Sequence, residues 1–169
     1  GNDRLAGTTG ADTILGGRGD DTLLSGQGAD LLYGGQGNDI AYAGQGADLV
    51  FGNLGADILL GNLGADTLLG GQGDDTLYGG QGDDVLSGDL GNDVLSGDLG
   101  ADRYVFGPNS GADLILGFDR ADGDRIDLQG QSYALGTAPD GNALLVLSGG
   151  GTVELAGIAP GRVDGGFFV

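Results

Sequence analysis

The sequence predicts an all-β fold: a right-handed parallel β-roll, a solenoid of nine-residue repeats closed by a small C-terminal β cap. Three observations predict it. A nine-residue unit recurs eleven times between Gly7 and Val105, and Gly70–Tyr78 and Gly79–Ser87 are near-identical copies. Within the unit a glycine, an aspartate and an apolar residue keep fixed places. Glycine makes up 41 of the 169 residues without the every-third spacing of collagen. The fixed apolar phase also argues against an aperiodic disordered tract. Each unit is too short to bury its own apolar face, so copies must stack.

Numbering the unit 1 to 9 from Gly7, position 4 is always glycine and position 8 always apolar, from Ala41 at the small end to Tyr104 at the large end. Position 6 is aspartate without exception: Asp3, Asp12, Asp21, Asp30, Asp39, Asp48, Asp57, Asp66, Asp75, Asp84, Asp93 and Asp102. Position 2 holds Gly17, Gly26, Gly35, Gly44, Asn53, Asn62, Gly71, Gly80, Asp89 and Asp98, the residue types that tolerate positive φ, so a left-handed backbone is expected there. Only Thr8, in the first unit, departs from this. Position 1 is Gly, Ser or Ala, which asks for small size. Positions 1 to 6 then read as a tight turn and positions 7 to 9 as a short strand, with position 8 inward and its neighbours outward.

Two units per coil place each unit over the one eighteen residues away, and two sheets share a core of Leu23, Leu32, Val50, Leu59, Leu68, Leu77, Leu86 and Leu95. Carboxylates eighteen residues apart then approach along each turn edge, from Asp3–Asp21 to Asp84–Asp102, in ten pairs. Such rows repel unless neutralised. Glycine turns crowd backbone carbonyls beside them, and the carbonyls of Gly71, Gly73, Gly80 and Gly82 in the two best-formed units are expected to join the carboxylates. A cage of oxygens alone suits Ca²⁺ better than Mg²⁺, which demands octahedral geometry. About ten ions would bring +20 against a formal charge of −19. The chain has no His and no Cys, so imidazole and thiolate metal sites are excluded.

At these residues the chain resembles the RTX family, whose nonapeptide reads G-G-x-G-x-D-x-U-x, with U a large apolar residue. The resemblance spans residues 1–105. It implies that each calcium ion is shared by turns one coil apart. It further implies a secreted or cell-surface protein that leaves the cell unfolded through type I secretion machinery and folds outside. Residues 106–169 are expected to form the capping region. Tyr104-Val105-Phe106, Gly117-Phe118-Asp119 and Gly123–Leu128 are similar to the caps of such rolls. Pro108 to Leu116 reads as one further unit displaced by two residues, which pairs Asp113 with Asp93 as an eleventh candidate site.

In the cap, Asn142–Leu147 and Thr152–Leu155 flank Gly149-Gly150-Gly151 and read as a hairpin. Ile126, Leu128, Leu144, Val146, Val153, Leu155 and Ile158 are expected to plug the end of the roll. The ending Asp164-Gly165-Gly166-Phe167-Phe168-Val169 is similar to the C-terminal secretion signals of type I substrates, and it also reads as a last strand docked on the cap. The chain opens inside a repeat, so an upstream domain is an expected partner. Outward positions 7 and 9 are apolar, with Leu31, Tyr33, Leu49 and Phe51 on one face and Ile40, Tyr42, Ile58 and Leu60 on the other. They suit a cross-strand ladder, or a glycan or cell-surface partner. The negative charge argues against nucleic acid, and no apolar run is long enough to span a membrane. Ser25, Ser87 and Ser96 have no base beside them, so no enzyme is expected in this segment and no catalytic residue is assigned.

Overall fold

The computed structural model describes all 169 residues. One sheet is built from β1 (Arg4–Ala6), β3 (Thr22–Leu24), β5 (Ile40–Gln45), β7 (Ile58–Leu63), β9 (Thr76–Gln81), β11 (Val94–Leu99) and β13 (Ala112–Leu116). The other is built from β2 (Thr13–Arg18), β4 (Leu31–Gln36), β6 (Leu49–Leu54), β8 (Thr67–Gln72), β10 (Val85–Leu90), β12 (Arg103–Val105) and β14 (Arg125–Asp127). Successive strands alternate between the sheets, and every neighbour within these two runs is parallel. The register is the eighteen-residue step of the repeat: Leu32 lies beside Val50, and Leu59 beside Leu77. The fold is thus the parallel β-solenoid that the nine-residue period predicts.

Position 8 forms the core. Leu23, Leu32, Ala41, Val50, Leu59, Leu68, Leu77, Leu86, Leu95 and Tyr104 have no solvent exposure. The outward aromatic and aliphatic residues form ladders, and Tyr33 stacks on Phe51 with ring centroids 4.9 Å apart. All ten position-2 residues from Gly17 to Asp98 have positive φ, including Asn53 at 76° and Asp98 at 69°. The substitutions away from glycine there are those the backbone permits.

The strands are longer than the sequence suggests. Nine of them, β2 and β4 to β11, run six residues through positions 7 to 9 and on through positions 1 to 3, leaving only positions 4 to 6 for the turn. A left-handed residue at position 2 looks like a turn in sequence, but here it sits inside a strand that keeps its ladder partner: Gly35 pairs with Asn53 and Asn53 with Gly71.

After Val105 the register lengthens. Val94 lies beside Leu114 and Arg103 beside Arg125, steps of twenty and twenty-two residues. β15 (Tyr133–Thr137), β16 (Ala143–Leu147) and β17 (Thr152–Leu155) then form an antiparallel meander that joins the first sheet through β17 and β13. The hairpin lies where the glycine triplet places it, but its inward phase differs from expectation. Ala143, Leu145 and Leu147 are buried, whereas Val146 is 45% exposed and Leu144 only half-buried. In the uniformly apolar run Ala-Leu-Leu-Val-Leu no alternation marks a face, and pairing of Leu145 with Val153 sets the phase. The C-terminal segment docks on this cap: Phe167 stacks on Phe118, Phe168 on Tyr133, and the Val169 N–H donates to the Ile126 carbonyl.

Candidate metal centres

Each repeat aspartate stands at a turn between the sheets. From Asp21 onward its Oδ1 accepts the backbone N–H of the aspartate one coil earlier, at 2.7 Å for Asp21 to Asp39, 2.8 Å for Asp57 to Asp75 and 2.9 Å for Asp84 to Asp102. These bonds string the aspartates into two rows. One edge carries Asp3, Asp21, Asp39, Asp57, Asp75, Asp93 and Asp113. The other carries Asp12, Asp30, Asp48, Asp66, Asp84, Asp102 and Asp124. The displaced unit therefore brings Asp113 to Asp93 as its phase suggests, with the Asp93 N–H 3.1 Å from Asp113 Oδ1.

The second carboxylate oxygen is the anomaly. Oδ2 of Asp21, Asp30, Asp39, Asp48, Asp57, Asp66, Asp75, Asp84, Asp93, Asp102 and Asp113 is buried and has no hydrogen-bond partner. Native interiors rarely leave a buried polar atom unpaired, and a bare anionic oxygen is the costliest kind. Burial is also the main force pushing up the carboxyls of Asp39, Asp48, Asp57, Asp66, Asp75, Asp84, Asp93, Asp102 and Asp113. Asp75, Asp84 and Asp113 are raised to about 7, and Asp48, Asp57, Asp93 and Asp102 to about 6. The amide one coil earlier pulls the other way, and neighbouring aspartates add to the rise.

Space and further oxygens accompany each bare Oδ2. A methyl placed on Gly34, at position 1, would lie 2.5 Å from Asp39 Oδ2 and 2.8 Å from the Gly52 carbonyl oxygen of the next coil. On Gly61 it would lie 2.5 Å from both Asp66 Oδ2 and the Gly79 carbonyl oxygen. The glycine thus leaves an anionic and a carbonyl oxygen close together beside it, with no side chain between them. Nowhere do three carboxylates converge, so backbone carbonyls and water would supply the remaining ligands. A cradle of carboxylate and carbonyl oxygens, with no nitrogen or sulfur donor, fits Ca²⁺.

The sequence points to the position-2 and position-4 carbonyls of Gly71, Gly73, Gly80 and Gly82. Gly71 and Gly80 lie on β8 and β9, while Gly73 and Gly82 stand at the turns with positive φ. The position-1 carbonyls that face the carboxylates, such as Gly52, Gly70 and Gly79, do not show in the sequence, since a backbone oxygen leaves no mark on residue choice. Asp124 was also missed. Its Oδ1 takes the Asp102 N–H at 3.0 Å and its Oδ2 the Asp119 N–H at 2.8 Å, so it ends its row with both oxygens satisfied. Asp124-Arg125-Ile126 repeats the phase of positions 6 to 8, and that was the available signal. Asp12 at the other end has its Oδ2 satisfied, by the Thr8 N–H and hydroxyl at 2.6 and 2.9 Å.

Among solved structures, the chain is similar to the AlgE6R3 subunit of the Azotobacter vinelandii mannuronan C5-epimerase, at 26% identity and TM-score 0.49 over 84% of this chain and 80% of that one. It is also similar to the extracellular lipase LipA of Serratia marcescens, at 19% identity and TM-score 0.40 over 100% of this chain and 40% of the lipase. No curated protein matches it in sequence. The family model of the RTX calcium-binding nonapeptide repeat matches residues 1–32, 33–68 and 69–104. With the repeat, the stacked coils and the bare carboxylate rows in agreement, the chain belongs to the RTX calcium-binding nonapeptide repeat family.

Proposed function

We propose that this chain is a calcium-driven folding module: it stays open where calcium is scarce, closes into the roll where calcium is abundant, and stabilises a larger secreted or cell-surface protein. The observation that carries this reading is the set of buried, unpartnered Oδ2 atoms along both edges. Without a cation the folded state must hold rows of bare or protonated carboxylates. With one bound at each cradle, the same groups become ligands that exist only in the folded chain, so binding free energy is folding free energy. Asp21, Asp39, Asp57, Asp66, Asp75 and Asp84, each with a position-1 glycine and a carbonyl from the next coil, would hold the best-formed sites. Asp93, Asp102 and Asp113 would extend them. Export fits the same logic, because a chain that cannot close at cytosolic calcium can be threaded unfolded. The Phe167–Val169 segment, packed on the cap once folded, would be readable by type I secretion machinery only beforehand.

Circular dichroism of the chain in millimolar CaCl₂ and in EDTA tests the reading. A β signal gained with calcium and lost with chelator is expected. A signal that persists unchanged in EDTA would remove calcium from the folding step.

One feature supports a second role, adhesion to a glycan or cell-surface lattice. On the β2–β10 sheet the small position-2 residues leave a groove between Leu15, Tyr33, Phe51 and Leu69 on one side and Arg18, Gln36, Leu54 and Gln72 on the other. Stacked rings beside amides are the materials of carbohydrate recognition. A glycan-binding screen on the intact roll and on Tyr33→Ser and Tyr42→Ser checks it. Binding that ignores both changes would clear these faces.

A further inference from the structure

The two edges are not equivalent. On the first, the position-1 residues facing Asp21, Asp39, Asp57, Asp75 and Asp93 are all glycine: Gly16, Gly34, Gly52, Gly70 and Gly88. On the second, two consecutive coils carry a side chain there, Ser25 beside Asp30 and Ala43 beside Asp48. Both are fully buried. The Ser25 hydroxyl donates a short hydrogen bond to the Ala43 carbonyl, the next-coil oxygen that in a glycine cradle is left facing the carboxylate. Ala43 puts a methyl at the position that Gly34 and Gly61 leave open beside the carboxylate oxygen, where any side chain forces the cradle to shift. Yet Asp30 and Asp48 are each only 3% exposed, and each still has an unpartnered Oδ2. The demand for a cation is the same as on the other edge, while the cradle has lost room and, at Ser25, one oxygen.

We infer that the calcium sites headed by Asp30 and Asp48 form a weaker class, which fills only after the glycine-lined sites headed by Asp21, Asp39, Asp57, Asp66, Asp75 and Asp84. One edge of the roll then stays open near Asp30 and Asp48 at calcium concentrations that have closed the opposite edge. This extends the calcium reading above and rests on it. It gives the array a graded response, with the last step set by two residues rather than by the repeat.

The test is a calcium titration of the whole chain by calorimetry, with stoichiometry checked by equilibrium dialysis. The wild type should show two affinity classes. Ser25→Gly and Ala43→Gly should each move one ion from the weaker class to the tighter one, a change of about tenfold in its dissociation constant, the size of one charge-assisted oxygen contact. Gly34→Ala should do the reverse on the other edge, moving one ion into the weaker class. The inference is overturned if the wild type titrates as a single class, if the glycine variants superimpose on it, or if Gly34→Ala leaves the tight class whole. Should the glycine variants fail to fold, Gly34→Ala decides alone. A wild type that takes up no calcium would instead bring down the calcium reading itself.

Discussion

Asp75 has its Oδ1 bonded to the Asp57 amide and its Oδ2 bonded to nothing, while Asp74, one residue earlier, is exposed and holds the Asn92 N–H at 2.8 Å. The pair separates a ligand from a solvated turn carboxylate. In saturating calcium, Asp75→Asn should cost one ion and about 1–3 kcal/mol of stability, as a charged contact does when removed. Asp74→Asn should stay within about 0.5 kcal/mol. Urea denaturation with a calcium count reads both, and equal losses at the two positions would deny that Asp75 is special. Position 2 offers a second test. Asn53 has φ 76° and its side-chain amide donates to the Phe51 carbonyl at 3.2 Å. Asn53→Ala should cost about 1 kcal/mol for an unsupported left-handed backbone, and Asn53→Gly much less. At this scale the sequence was highly informative, because side-chain choice records both φ and ligand type. Carbonyl ligands leave no such record, which is why the Gly52 and Gly79 oxygens came to light only in the folded chain.

Strands were legible where a polar residue breaks the apolar run. Position 8 could be assigned inward throughout because the invariant aspartate two residues earlier fixes the phase, and Leu59 and Leu77 are fully buried accordingly. Strand length was not legible: glycine, asparagine and aspartate at positive φ look like turn residues, yet β6 runs through Asn53. In the cap, β16 has no polar marker, and its face is set by β17 rather than by its own sequence. Leu145 has no exposure and Val146 is 45% exposed. Leu145→Ala should therefore cost about 2–5 kcal/mol, the usual range for a leucine cavity, and Val146→Ala less than about 0.5 kcal/mol. Thermal unfolding in calcium distinguishes them. The reverse order would restore the phase first expected from the sequence and unseat the pairing of Leu145 with Val153.

Across the whole molecule, the formal charge of −19 sits largely on two rows that the fold buries, so protons and calcium compete for the same groups. Burial raises Asp48, Asp57, Asp93 and Asp102 to about 6 and Asp75, Asp84 and Asp113 to about 7, from an ordinary 3.8. Between those limits the folded state binds more protons than the unfolded one, so without metal its stability falls as pH rises. The contribution is fully present below about 3.8 and is lost as pH passes through about 6 to 7. Calcium reverses the dependence, because a ligand carboxylate must be deprotonated and acid weakens the ion's hold. In EDTA, the β signal should therefore grow as pH is lowered from about 7.5 to 5, within the range where these carboxyls take up protons. The stabilisation added by saturating calcium, measured as the rise in Tm over the chelated chain, should shrink across the same interval. A chelated chain as unfolded at pH 5 as at 7.5 would mean that the carboxylate rows are not what holds the empty roll apart.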